Sequence, residues 1–294
     1  MKHSLSKGLY TALVTPFKEG KVDFSALEKL LDFQVKSAVQ GIVVFGTTGE
    51  GATLSEEEKF EIAKFAINFV KGKVKIIAGT GGNNTLISAE LTAKISTLNP
   101  DGFLVVSPFY NKATSEGLLL HFGKIADKTE LPIILYNVPG RTNMNISDDI
   151  IQKLYESQKN IIGLKDATGD LARVPSIRSK VGKDFLLLSG EDATALAFNA
   201  SGGDGVISVA SNIAPKLCLA LQNISLSRNN LETAFEIQEK IFKISEVLFS
   251  EVNPIPVKYA LHLMNFCLNE YRLPLCQPSE NAKEKIKNIL TLCS

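Results

Sequence analysis

The chain has 294 residues, of which 45% are hydrophobic and 21% are charged, and this composition predicts a globular protein with a large buried core. Its formal net charge is +1, and no run of lysine and arginine is dense enough to follow a phosphate backbone. We therefore expect a small-molecule substrate and no nucleic-acid partner. No apolar run approaches the roughly 18 residues that a membrane-spanning helix needs, and residues 1–17 lack the features of a secretory signal. These observations predict a soluble cytoplasmic protein without a membrane partner.

Residue types that bind metals are few and scattered. The four cysteines show no C-x-x-C spacing and lie in the last third of the chain: Cys218, Cys267, Cys276 and Cys293. They predict neither a disulfide framework nor a zinc site, so we expect a reduced protein. Only three histidines are present, His3, His121 and His262, which argues against a metal-dependent hydrolase. His121 lies in an apolar stretch, where we expect a hydrogen-bonded helical histidine rather than a ligand.

Short apolar segments recur at intervals of about 30 residues, and each is followed by an amphipathic stretch of helical length. The segments are residues 8–14, 41–45, 74–78, 102–106, 132–136, 161–165, 185–188 and 205–209. Eight alternations of strand and helix over about 220 residues favour a closed (β/α)8 TIM barrel over an open doubly wound sheet.

Helix start signals accompany this alternation. Asp23 precedes an apolar stripe at helical spacing, and Ser55 with Glu58 forms the pattern of a capping box. Further expected N-caps are Thr85, Ser115 and Ser147, and Gly72 is an expected helix stop.

The pattern changes after about residue 227. Residues 230–249, 255–268 and 279–292 predict three helices with no strand between them. We therefore expect a catalytic barrel over residues 1–227 and a C-terminal helical domain over residues 228–294.

The carboxyl ends of the barrel strands form one surface, which is where active sites of such barrels lie. Lys165 ends an apolar strand at this surface. Partial burial disfavours the ammonium form of a lysine, and a neutral amine can form a Schiff base with a carbonyl substrate. The alternative is a structural lysine that pairs with Asp166 or another carboxylate.

Two other strand ends carry polar groups. Residues 46–51 form a glycine-rich loop with two hydroxyls, which suits a small carboxylate or phosphate, although a tight turn alone would explain the glycines. Tyr136 is placed to transfer protons beside Lys165, or to form a structural hydrogen bond. Arg141 suits a carboxylate, or is simply a surface arginine.

Four segments together resemble the dihydrodipicolinate synthase family, also called 4-hydroxy-tetrahydrodipicolinate synthases, within the N-acetylneuraminate lyase superfamily of class I pyruvate aldolases. The segments are Gly46-Thr47-Thr48-Gly49-Glu50, Tyr136-Asn137-Val138-Pro139 with Arg141-Thr142, Gly163-Leu164-Lys165-Asp166-Ala167-Thr168-Gly169 and Asn253-Pro254-Ile255-Pro256-Val257-Lys258. The similarity runs over essentially the whole chain. Arg141 and Tyr110 favour the synthases over the sugar-acid lyases of the superfamily.

The resemblance implies roles for the catalytic residues. Lys165 would form the Schiff base with pyruvate, and Tyr136 would transfer protons during imine formation and enamine attack. Thr47 would link Tyr136 to Tyr110 in a relay. In the family this second tyrosine reaches in from a neighbouring subunit, so the resemblance implies a homo-oligomer, a dimer pair within a tetramer.

The resemblance also implies the substrate-binding residues and the reaction. Thr48 would hold the pyruvate carboxylate, Arg141 would hold the carboxylate of L-aspartate 4-semialdehyde, and Gly190 with the Ile207 carbonyl would line the pyruvate pocket. The implied reaction is the condensation of these two substrates in diaminopimelate and lysine biosynthesis. A protonated imine is itself an electron sink, so no cofactor or metal is expected.

The sequence departs from the family at the positions where lysine inhibits some members. Serine, histidine, glutamate and tyrosine of that pocket are replaced here, at Gly51, Glu56 or Lys59, Ile87 and Phe109, whereas Ala52 and Asn83 still fit. Ile87 cannot pair with an ammonium group, and Lys59 would repel one. We expect weak or absent inhibition by lysine.

Two other functions remain open on the sequence alone. A related lyase would cleave sialic acid or a keto-deoxy sugar acid, and its activity would barely depend on Arg141. A barrel that only binds a keto acid or a protein would form no adduct on Lys165.

Overall fold

The computed structural model describes residues 5–293. Residues 1–4, among them His3, and residue 294 lie outside the described part of the chain.

Within residues 5–293, eight parallel strands close into a barrel, and a two-stranded hairpin follows the first of them. In chain order the strands are β1 (Gly8–Ala12), the hairpin strands β2 (Phe17–Lys18) and β3 (Lys21–Val22), then β4 (Gly41–Val44), β5 (Lys75–Gly79), β6 (Gly102–Val106), β7 (Ile133–Asn137), β8 (Ile161–Asp166), β9 (Leu186–Ser189) and β10 (Gly205–Ser208). The predicted barrel is confirmed, and each predicted strand overlaps an observed one.

The barrel closes because β1 pairs with β10 on one side and with β4 on the other. Gly8 lies opposite Gly205, and a Cβ on Gly205 would be 2.1 Å from the Gly8 carbonyl oxygen. Gly205 also has a φ of +142°, which side chains rarely adopt. Glycine is therefore required at this closing contact.

Helices surround the barrel and connect its strands. They are α1 (Phe24–Lys36), α2 (Glu56–Val70), α3 (Thr85–Ser96), α4 (Ser115–Ala126), the one-turn α5 (Pro139–Thr142), α6 (Asp148–Ser157), α7 (Arg173–Val181), α8 (Ala195–Ala200) and α9 (Pro215–Ser227). The capping box of Ser55 and Glu58 is present, and Asp23 and Ser147 cap α1 and α6 as predicted.

Two predicted N-caps were wrong by one residue. Asn84, rather than Thr85, caps α3 by accepting from the amide of Leu86, and Thr114, rather than Ser115, caps α4. In both pairs the earlier residue has extended backbone and a side-chain oxygen that reaches the free amides, which is the geometry of an N-cap.

The helical histidine predicted at position 121 is confirmed, with one nitrogen paired. His121 is buried in α4, and its Nδ1 lies 2.8 Å from Oγ1 of Thr85. Its Nε2 is buried with no hydrogen-bond partner within residues 5–293.

Two apolar layers follow from the alternation of side chains along each strand. The smaller layer fills the barrel and includes Tyr10, Val43, Ile134, Leu188 and Ile207. The larger layer lies between the outer faces of the strands and the helices. Polar groups at the mouth of the barrel are therefore held on a packed base.

Three helices follow the barrel, as predicted: α10 (Leu231–Leu248), α11 (Ile255–Leu263) and α12 (Glu280–Ile289). The predicted extension of α11 to residue 268 was wrong, because Asn265 has a φ of +62° and the chain turns there. Among residues 5–293, no helix combines the length and apolar character that crossing a membrane requires. The division into domains 1–227 and 228–294 stays a prediction.

Candidate active site

Lys165 lies at the end of β8 with its side chain inside the barrel. Only 6% of the residue is exposed, and its Nζ lies 4.3 Å from the centre of the Tyr136 ring. Tyr136 is the register partner of Lys165 on β7, which explains the contact. The amine therefore faces an aromatic ring in a water-poor space.

Asp166 points away from Lys165 because successive residues of a strand face opposite sides. One of its oxygens accepts from Nε of Arg173 at 3.0 Å, and the other accepts from the amide of Thr168 at 2.8 Å. The alternative in which Lys165 pairs with Asp166 is therefore excluded, and the amine is left for other chemistry.

Close packing requires glycine at position 190, beside Lys165. A Cβ on Gly190 would lie 2.4 Å from Cβ of Ala167 and 3.1 Å from Cε of Lys165. Ile207 belongs to the inner layer of the barrel and is fully buried. A side chain at position 190 would thus crowd the side chain of Lys165.

The loop after β4, residues 46–51, brings two hydroxyl groups to the mouth of the barrel. Thr47 is half-buried, whereas Thr48 is buried and its Oγ1 accepts from Nδ2 of Asn253 at 3.0 Å. Glu50, with a φ of +51°, forms a fully buried ion pair with Lys258 of α11. The loop is therefore held by the helical appendage.

Arg141 lies in α5, directly after β7. Its side chain extends from an exposed position, and Nη2 donates to the backbone carbonyl of Asn253 at 3.1 Å. One residue of the appendage thus contacts both Thr48 and Arg141, the two groups predicted to bind carboxylates.

Tyr110 is the predicted site residue that the single chain does not bring into the barrel. Its φ is +71° and its side chain is 92% exposed, so it does not pack against the buried Tyr136. A surface groove is lined by Tyr110 together with Asn83 and Leu86, and Leu86 is itself 64% exposed.

Two acidic residues after β9 complete the site, and sequence reasoning assigned them no role. Asp192 is buried, and its Oδ2 accepts from the amides of Val209 and Ala210 at 2.8 and 2.9 Å, which holds the chain after β10. Burial raises the pKa of Asp192, and burial followed by the Asp192 charge raises that of Glu191. Both carboxyls were visible in the sequence at a strand end.

Asn253 was also missed as a site residue. Its segment contributed to the family resemblance, and its position beside Pro254 indicated a break between helices, but nothing in the local pattern points to residue 48.

Comparisons with known proteins agree with this geometry. The model of the family described as "Dihydrodipicolinate synthetase family" matches residues 5–292. A 4-hydroxy-tetrahydrodipicolinate synthase of Parvibaculum lavamentivorans is 46% identical over 280 residues, covering 95% of this chain and 96% of the relative.

Solved structures give the same result. The dihydrodipicolinate synthase of Aquifex aeolicus is 41% identical, with a TM-score of 0.95 and 97% of each chain covered. A chloride-inhibited dihydrodipicolinate synthase of Acinetobacter baumannii, complexed with pyruvate, is 40% identical, with a TM-score of 0.94 and 99% of each chain covered. The chain belongs to the dihydrodipicolinate synthetase family.

Proposed function

We propose that this protein is a 4-hydroxy-tetrahydrodipicolinate synthase, a lyase of the class I aldolase type. It condenses pyruvate with L-aspartate 4-semialdehyde in the cytoplasm, in diaminopimelate and lysine biosynthesis. The observation that carries the proposal is the buried amine of Lys165, which faces the Tyr136 ring at the end of a barrel strand and packs against Gly190.

The reaction follows from the chemistry of that amine. The neutral Lys165 amine attacks the ketone carbon of pyruvate, and loss of water forms a protonated imine. The imine draws electrons from the methyl group, which loses a proton and becomes a nucleophilic enamine. The enamine carbon then attacks the aldehyde carbon of the second substrate, and the aldehyde oxygen takes up a proton to become a hydroxyl. The amino group of that substrate then displaces the Lys165 amine from the imine carbon, which closes the product ring and frees the lysine. Every step uses groups of the protein and the substrates, so the proposed reaction needs no cofactor or metal.

Tyr136 is the proposed proton carrier, because water must leave and a methyl proton must be removed next to Lys165. Thr48 and Arg141 are proposed to bind the carboxylates of pyruvate and of the aldehyde. Gly190 and the Ile207 carbonyl are proposed to line the pyruvate pocket, and Thr47 to link Tyr136 to Tyr110.

We propose that Tyr110 completes the site of a second copy of the chain, in a dimer within a tetramer. A tyrosine that is 92% exposed, beside an exposed Leu86, suits a surface covered by another subunit. Mixing Tyr110→Phe with Lys165→Ala chains tests this, because a mixed dimer regains one site with both residues. We expect the mixture to regain turnover. If subunit exchange is proven and the mixture still shows no turnover, the shared site is contradicted.

The function itself is tested by turnover of pyruvate with aspartate semialdehyde, coupled to the downstream reductase, with sialic-acid cleavage run in parallel. Borohydride with pyruvate should trap an adduct on Lys165 and none in Lys165→Ala, while the exposed-lysine control Lys128→Ala should behave as wild type. Cleavage of sialic acid without condensation would indicate that the substrate is a sugar acid, as for the related lyases of the superfamily. Absence of any adduct would reject the Schiff-base mechanism.

Lysine should inhibit this enzyme weakly or not at all. A Cβ on Gly51 would lie 2.1 Å from the Phe45 carbonyl oxygen, so the serine of the inhibited members does not fit this backbone. Ile87 offers no charge to a ligand ammonium. Turnover measured against rising lysine should stay unchanged, and inhibition at cellular lysine concentrations would contradict the prediction.

A further inference from the structure

Asn253 connects the helical appendage to the proposed carboxylate-binding groups. It lies between α10 and α11 and is 6% exposed. Its side-chain amide donates to Oγ1 of Thr48 at 3.0 Å, while its backbone carbonyl accepts from Arg141 at 3.1 Å. The two contacts use different parts of one residue, so they can be disturbed separately.

The side-chain contact determines what the Thr48 hydroxyl can do. An amide NH2 group only donates, so Oγ1 of Thr48 must accept, and the single hydroxyl proton of Thr48 must point elsewhere. Thr48 is 3% exposed, so water does not readily take that proton. A hydroxyl in this state is a donor ready for an anion such as a carboxylate. Without Asn253 the same hydroxyl would rotate freely between donating and accepting.

A second contact fixes the geometry of the first. Lys258, one turn into α11, forms its buried ion pair with Glu50, two residues after Thr48 in the loop. The appendage therefore holds the loop at Thr48 and again at Glu50. The distance between the Asn253 amide and the Thr48 hydroxyl is thus set by two anchored segments rather than by a mobile side chain.

We propose that Asn253 is a positioning residue that makes Thr48 a hydrogen-bond donor to the carboxylate of the keto-acid substrate. The inference rests on the proposed function, in which Thr48 binds the carboxylate of pyruvate. It gives the helical appendage a direct part in substrate binding.

Asn253→Ala removes the side-chain amide and keeps the backbone carbonyl that holds Arg141. The KM for pyruvate should rise about tenfold, the effect of losing one well-oriented hydrogen bond to a charged group. The kcat and the KM for aspartate semialdehyde should change less than about twofold, because Arg141 stays in place. Asn253→Asp has nearly the same shape but accepts where asparagine donates. It should raise the KM for pyruvate further, since it reverses the Thr48 hydroxyl and adds a negative charge.

The matched control is Asn269→Ala. Asn269 lies in the same appendage, and the Oδ1 atoms of both Asn253 and Asn269 are buried without a hydrogen-bond partner among residues 5–293. The Asn269→Ala variant should leave the KM for pyruvate and the KM for aspartate semialdehyde unchanged.

A double-mutant cycle separates positioning from general stability. If Asn253 acts through Thr48, Asn253→Ala combined with Thr48→Val should be no worse for pyruvate than Thr48→Val alone. Additive losses, equal rises of both KM values, or an unchanged KM for pyruvate would overturn the proposal. If Asn253→Ala does not fold, as judged by circular dichroism, the isosteric Asn253→Asp decides by its pyruvate KM.

The pyruvate dependence of borohydride trapping on Lys165 provides a readout that needs no aldehyde. If the wild type is trapped and the Asn253 variants show the same dependence on pyruvate concentration, the role of Asn253 is rejected and the proposed function stands. No trapping in the wild type would reject the proposed function and this inference together. If pyruvate is trapped normally on Lys165 of the wild type but no condensation occurs, the condensation reaction is rejected. The comparison of trapping between the wild type and the Asn253 variants then still tests the role of Asn253.

Discussion

Replacing Lys258 by methionine should remove a large part of the stability of the fold. The side chain of Lys258 is fully buried, its Nζ pairs with Glu50, and it lies 4.3 Å from the centre of the Phe17 ring. Methionine fills most of the same volume, so little cavity is created. Within residues 5–293, it leaves the buried Glu50 carboxylate with one remaining hydrogen-bond donor, the amide of Arg272 at 3.3 Å. Breaking one side of a buried ion pair costs about 3–5 kcal/mol, and we expect a loss of that size.

The double variant Lys258→Met with Glu50→Gln tests the reason for that loss. Burial lowers the pKa of Lys258 even though Glu50 acts to raise it, which indicates that the desolvation of the ammonium outweighs the attraction in the pair. Removing both charges should therefore restore most of the lost stability.

Urea unfolding at a fixed protein concentration measures both variants, because association of subunits also contributes to apparent stability. A single variant that loses less than about 1 kcal/mol, or a double variant less stable than the single one, would refute the reasoning.

Three further changes test other parts of the fold. Burial lowers the pKa of His121 to about 4 from 6.5, so between these values the unfolded state binds more protons and stability falls as the pH falls. From about pH 7 to about pH 4.5, wild type should lose about 2 kcal/mol more than His121→Gln in urea unfolding, and equal losses would contradict this. Arg178 donates to the buried Asp204, so Arg178→Met should cost about 2–3 kcal/mol, while the exposed-residue control Arg228→Met should cost almost nothing. Ser55→Ala removes the capping box of α2 and should lower the free energy of unfolding by about 1 kcal/mol; an unchanged urea midpoint would show that the cap adds no stability.

The strands and most helix starts were predictable because their determinants are local. The apolar run that ends at Lys165 marks a strand and its end, and Ser55 with Glu58 marks a helix start, since both patterns need only neighbouring residues. The two N-cap errors arose where adjacent residues could serve equally, as with Asn84 and Thr85, because only backbone geometry decides which one caps the helix.

The Lys165 site shows how far such local reasoning reaches. Its place at a strand end followed from the sequence, but its separation from Asp166 depends on which face of β8 points into the barrel. The register of β8 with β7 then brings Lys165 to Tyr136.

By itself the sequence determined the order of strands and helices, the barrel and the surface on which the polar strand ends collect, because periodicity and strand direction suffice for these. Only the tertiary structure decided that Asn253 holds Thr48 and that Tyr110 faces outward. Thr48 and Asn253 are separated by 205 residues. Their hydrogen bond exists because the barrel closes and the appendage packs over it. Such a contact leaves no pattern near either residue, so folding of the whole chain is what brings the donor to the acceptor.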